Sequence, residues 1–159
     1  MKLFYNRKNF YLLILSFSII AILFALYIEN VLQYNACKLC IYQRIPYIAA
    51  IFISFVGYNY YKNEKLLILT LIIFIFSILI SGYHYGIENS IFEEFSGCTS
   101  NTGEILDKSK LLESLNNIPS SCKDVTFKLL GFSLAGINLI FSLLITTLTL
   151  RNIFYVQNK

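Results

Sequence analysis

Cys37 and Cys40 stand three apart in the stretch NACKLCIYQRIP, residues 35–46, and Arg44 follows the second cysteine by four. A Cys-x-x-Cys pair serves either as half of a metal site or as a redox dithiol. A bridge across two intervening residues closes so small a loop that it removes little unfolded-state entropy, so a structural staple is a poor account of it. Tight pairs of this kind are kept for reactivity. An apolar helix starts at Cys40. Its unpaired amide hydrogens and the positive end of its dipole favour a thiolate there. Arg44 lies on the same helix face one turn deeper, where its cation adds to the effect. An arginine at an apolar boundary also has a plainer role, snorkelling to the interface.

Cys98 and Cys122 complete an even set of four cysteines. For these two, a staple closing a long loop is an ordinary role. Four thiols also make a zinc set, but a zinc half-site is normally matched by a second close pair, and Cys98 and Cys122 are far apart in sequence. No metal is expected. His84 is the only histidine, and Glu88 is four residues on, hence on the same helical face. Ionisable groups at membrane depth mark a site. Such a pair passes protons at a water boundary or merely caps the helix end.

The elements that position these residues follow from composition. The chain of 159 residues is 57% hydrophobic and 14% charged, too apolar for a soluble domain. Four apolar runs, about 10–28, 41–61, 66–85 and 127–150, approach the roughly 20 residues that cross a hydrocarbon core. Without water to satisfy the backbone, each must be a helix. The fold class is therefore an all-α four-transmembrane-helix bundle forming a single domain. The first run is longer than a signal-peptide core and no A-x-A site follows it, so it reads as a retained helix. Gly131, Ala135 and Gly136 in the fourth run suit close helix packing.

Orientation follows from charge. With both termini in the cytoplasm, that side holds Lys2, Arg7, Lys8, Lys62, Lys65, Arg151 and Lys159 against Glu64 alone, while the outer side holds more acids than bases. This is the positive-inside pattern. The basic excess is thus a topology signal and gives no reason to expect nucleic acid. All four cysteines then fall in the outer loops, 29–40 and 86–126. An oxidising compartment favours disulfides, and proximity favours Cys37–Cys40 with Cys98–Cys122 left to pair. Ile105, Leu106, Leu111, Leu112 and Leu115 recur at near-helical spacing among charges, which predicts a short amphipathic helix on the membrane surface within the second outer loop.

The segments CKLCIYQRIPY, GYHYGIE, GCT and SCKDVTFKLLGFSLAGIN, in this order and on one membrane side, resemble the DsbB family of bacterial disulfide-forming membrane proteins. The resemblance spans nearly the whole chain. It implies an inner-membrane thiol-disulfide oxidoreductase that reoxidises a periplasmic thioredoxin-fold oxidase (DsbA-like) and passes the electrons to a membrane quinone, ubiquinone or menaquinone. It implies that Cys98 forms the mixed disulfide with the partner and that Cys122 exchanges with the first-loop pair. Cys37 then pairs transiently with Cys122, Cys40 is the thiolate facing quinone, and Arg44 binds a quinone carbonyl. Some family members carry a histidine one residue beyond the position of Glu88. Here that residue is Asn89, and His84, with Glu88, is the candidate for the quinone-side role. Two rivals predict otherwise. A reductase like the vitamin K epoxide reductases carries its Cys-x-x-Cys late in the chain. A scaffold with structural disulfides loses only stability on reduction.

Overall fold

The computed structural model describes residues 6–93, 122–123, 128–129 and 131–157. Four helical stretches in it are long and apolar enough to cross a membrane. The first is α1, Arg7–Asn30. The second, Lys38–Asn59, is made of a short α2, Lys38–Tyr42, and α3, Arg44–Asn59. The third is α4, Glu64–Glu88, and the fourth is α5, Leu134–Gln157. Asn6 starts α1 by accepting from Lys8 N at 3.2 Å, and Asn63 starts α4 by accepting from Lys65 N at 3.0 Å. Each side-chain carbonyl satisfies one of the amides that a helix N-terminus leaves unpaired.

The last helix begins later than residue 127. Residues Lys128–Leu129 (β1) and Phe132–Ser133 (β2) form a two-stranded antiparallel pair instead, in the register Lys128↔Ser133 and Leu129↔Phe132. Gly131 turns the chain between them at φ +86°, a conformation that glycine adopts without strain. It sits in open space rather than against a helix, so of the three small residues only Ala135 and Gly136 belong to the fourth helix. The amphipathic helix expected after Gly103, and Cys98, lie outside the described residues.

The helices run alternately up and down, with α1 packed on α3, α3 on α4 and α4 on α5. Large apolar side chains point outward: Phe52 is 69% exposed and Leu79 64%. The interior holds an apolar cluster that includes Phe10, Tyr11, Ile14, Leu67 and Phe74, together with small hydroxyl residues, among them Ser18, Ser54, Ser77, Ser81, Ser142 and Thr149. Buried small and hydroxyl residues suit a lipid surround, where close approach and hydrogen bonds replace the hydrophobic drive between helices. Ser77 and Ser142 join α4 to α5 at 2.8 Å. Thr70 and Thr149 satisfy themselves on carbonyls one turn back, at 2.8 and 2.7 Å. Gly57 lets α3 meet α1: a Cβ there would stand 2.5 Å from the Tyr11 ring.

The two ends of the bundle differ. At one, Arg7 bonds the carbonyls of Tyr61 and Lys62 and reaches Glu64 at 3.6 Å. At the other, the N-terminus of α2 meets the end of α4 and Cys122.

Candidate active site

Cys37 is the N-cap of α2. Its backbone is extended (φ −69°, ψ 163°), and its sulfur accepts the Cys40 amide at 3.2 Å. This folds the dithiol onto itself. The Cys37 and Cys40 sulfurs stand 2.7 Å apart, so the two cysteines expected to bridge in the resting protein are brought together. Cys37 donates its S–H to Cys40 Sγ, and this bond, with burial second, pushes the Cys37 thiol up to about 12. The shared proton therefore belongs to Cys37.

Pro46 shapes what surrounds the pair. Lacking an N–H, it cannot bond the carbonyl one turn back, and the helix breaks at Gln43 between α2 and α3. Gln43 itself keeps helical dihedrals (φ −66°, ψ −17°) and is buried, and its side-chain amide meets His84 Nδ1 at 3.1 Å. The other ring nitrogen, Nε2, stands 3.5 Å from Cys37 Sγ and 3.7 Å from Glu88 Oε1. His84 and Glu88 are one turn apart on α4, with side chains only 3% and 8% exposed. Glu88 Oε2 has no hydrogen-bond partner among the described residues. Cys122 closes the group. Its sulfur, the Cys37 sulfur and a His84 ring nitrogen all lie within 4.8 Å of one another, and all three residues are buried. Ile87 and Leu39 seal the cluster with apolar surface.

Cys40 looks the other way. It lines a cavity of about 370 Å³ between α1, α3 and α5, with Phe17, Phe24, Ile137 and Phe141 as apolar walls. Arg44 lines the same cavity and pairs with Glu29 at the end of α1, Nη2 to Oε2 at 2.7 Å. Deeper in, Tyr47 donates to Asn138 Oδ1 across the α3–α5 seam, and Ser142 donates to the same oxygen at 3.4 Å.

Three of the four cysteines, His84 and Glu88 thus meet at one end of the bundle, with Arg44 on the cavity beside Cys40. His84 and Glu88 do not line that cavity; they stand against Cys37. The sequence places Arg44 as the group that acts on Cys40, whereas the cation is tied to Glu29 and the group touching the Cys40 sulfur is Cys37. Gln43, Tyr47, Asn138 and Glu29 are absent from the sequence-based site. Asn138 carries a signal, a lone amide inside an apolar run; Gln43 carries none, since its contact with His84 is made between helices. Chemically, Cys37 has two possible disulfide partners, Cys40 on the cavity side and Cys122 on the His84 side.

The family model described as "Disulfide bond formation protein DsbB" matches residues 7–151. A protein of Rickettsia prowazekii (strain Madrid E) named "Uncharacterized protein RP370" is 29% identical over 163 aligned positions, covering 98% of this chain and 95% of that protein.

Proposed function

The chain belongs to the DsbB family of disulfide bond formation proteins, and on that premise we propose that it oxidises a soluble thioredoxin-fold dithiol oxidase of the DsbA kind and delivers the electrons to a membrane quinone. As a family member it is a multi-pass membrane oxidoreductase of disulfide formation. The observation that carries the finer reading is the two-sided dithiol. Cys40 opens on an apolar cavity while Cys37, behind it, faces Cys122.

The partner's first thiolate breaks a Cys98–Cys122 bond, and its second thiol resolves the mixed disulfide on Cys98, so the partner leaves oxidised. Cys122 attacks Cys37 in the Cys37–Cys40 disulfide and releases Cys40 as a thiolate. Cys98 then attacks Cys122, which restores the Cys98–Cys122 bond and leaves Cys37 and Cys40 as the reduced pair. His84 takes the proton that Cys122 sheds as it attacks Cys37 and returns it to the Cys37 thiolate when Cys98 releases that sulfur, while Glu88 steadies the imidazolium in between. A quinone supplies the sink for two electrons and two protons. Its flat, apolar head suits the aromatic walls of the cavity. Arg44 is the donor beside Cys40 that would hold a carbonyl oxygen, in the manner of a charge-assisted hydrogen bond. Asn138, its Oδ1 already accepting two bonds, lines the same cavity. Ubiquinone and menaquinone both satisfy these contacts.

The charge pattern supports an inner-membrane orientation with both termini cytoplasmic and the cysteines periplasmic. Arg7, Lys8, Lys62 and Lys65 cluster at the end of the bundle opposite the dithiol. A single-turnover experiment tests the reading. Reduced protein in lipid nanodiscs is mixed anaerobically with one equivalent of quinone, and thiols are counted and mapped. One quinol should form per Cys37–Cys40 pair closed, and Cys40→Ser should leave the quinone unreduced. Unchanged quinone beside the wild-type dithiol would exclude it.

A further inference from the structure

We infer that the reduced protein carries a buried cation site of the zinc class, built from Cys37 Sγ, Cys122 Sγ, His84 Nε2 and a Glu88 carboxylate oxygen. The site goes beyond the relay and stands on its own geometry, whether or not quinone is the electron acceptor.

Tetrahedral zinc with bonds of about 2.3 Å to sulfur and about 2.0 Å to nitrogen separates an S and an N ligand by roughly 3.5 Å. Cys37 Sγ and His84 Nε2 are 3.5 Å apart. Two ligands at about 2.0 Å from the ion would be separated by roughly 3.3 Å, and Nε2 to Glu88 Oε1 is 3.7 Å, a difference that a small carboxylate rotation removes. The Cys122 sulfur lies inside the same 4.8 Å group. Glu88 Oε2, buried and without a hydrogen-bond partner among the described residues, supplies a second, independent pointer. A carboxylate oxygen left unpaired away from water is costly unless a cation or donor completes it.

The surroundings fit too. A metal-bound imidazole needs its other ring nitrogen held, usually as a donor to an oxygen. Gln43 sits on Nδ1 at 3.1 Å, and turning its amide over offers the oxygen in place of the nitrogen. Two thiolates and an imidazole select a borderline-soft ion over magnesium or calcium. Cys40 is not a ligand, because it lines the cavity and lies outside the group that Cys37, His84 and Cys122 form. This donor set also differs from the four-cysteine set that sequence spacing argues against.

Binding displaces the two thiol protons and changes no oxidation state. The ion holds Cys37 and Cys122 together as thiolates and so blocks either from forming a disulfide. Oxidation of Cys37 by either route removes a ligand and releases the ion. Zinc thus arrests the reduced relay and has no hold on the oxidised one.

The test uses full-length protein, reduced and anaerobic in detergent, titrated with Co²⁺ as a coloured probe and then with Zn²⁺. One Co²⁺ per chain should bind with thiolate charge-transfer absorption and tetrahedral ligand-field bands, and one Zn²⁺ should displace it. With Zn²⁺ bound, alkylation should spare Cys37 and Cys122 and modify Cys40. His84→Ala should weaken binding by roughly 100-fold or more, Glu88→Gln should weaken it less, and Cys40→Ser should leave it intact. The inference is overturned by absence of stoichiometric binding. It is equally overturned by binding that Cys40→Ser abolishes and His84→Ala spares, since the ion would then sit on the Cys-x-x-Cys pair. The protection pattern needs no variant, so it decides even if His84→Ala fails to fold.

Discussion

Replacing Arg44 with alanine separates the two halves of the relay. The guanidinium lines the cavity beside Cys40 and spends one nitrogen, Nη2, on Glu29. Its other donors remain for a carbonyl oxygen. A hydrogen bond from a charged donor contributes about 1.5–3 kcal/mol. At 1.36 kcal/mol per decade, its loss should raise the apparent quinone KM by roughly 10- to 150-fold. The Glu29 pair adds little to this figure, since the glutamate side chain is 36% exposed and such pairs are weak. Exchange with the soluble partner should be unchanged, because among the described residues no cysteine sulfur bonds Arg44. Arg44→Lys should fall between the two, since lysine keeps the charge but loses the planar fork. The assay measures quinone KM in nanodiscs alongside the rate of mixed-disulfide formation at Cys98. Equal losses in both, or in neither, would show that Arg44 only anchors α3 to α1.

Cys40→Ala removes the acceptor that chiefly holds the Cys37 proton, so Cys37 should titrate well below about 12, with burial then opposed by the contact to His84. Alkylation rate against pH reads this directly. In the reduced wild type the raised Cys37 value has a consequence for stability. The folded protein keeps a proton that the unfolded chain loses from about pH 9, so stability should fall as pH climbs from there toward 12. His84→Ala should slow exchange between Cys122 and Cys37 at neutral pH and leave quinone KM unchanged, as rapid-quench thiol trapping would show; a quinone defect alone would move His84 to the cavity side. Gly57→Ala drives a methyl group into the buried Tyr11 ring and should cost about 1–3 kcal/mol, seen as a lower midpoint on thermal unfolding in detergent. Ser77→Ala loses the hydrogen bond to Ser142 and should cost about 0.6 kcal/mol, at most about 1.7.

The spans were legible in the sequence because length and apolarity alone decide them. The dithiol was legible because two cysteines at that spacing have few other uses. The later start of the fourth helix was not, since Leu129 and Phe132 carry the apolar run up to the helix, and the positive φ of Gly131 and the pairing around it are backbone facts. The contact of Gln43 with His84 joins two helices 41 residues apart in sequence, so no local pattern carries it. Arg44 was placed on the correct face, but its ion pair with Glu29 joins two helices and no local pattern carries it. The same holds for Tyr47 with Asn138. His84 was visible as a lone ionisable group at membrane depth. Which sulfur it meets is fixed by how α4 packs against α2, a tertiary fact.

The central claim is that electrons leave the dithiol through Cys40 into a quinone in the apolar cavity. The most direct measurement is anaerobic rapid mixing of the reconstituted protein with a reduced thioredoxin-fold oxidase and quinone, following quinone absorbance together with the partner's thiols. The account predicts one quinol formed for each partner disulfide, at a rate abolished by Cys40→Ser. Partner oxidation that proceeds repeatedly without quinone loss, or quinone loss that survives Cys40→Ser, would contradict it.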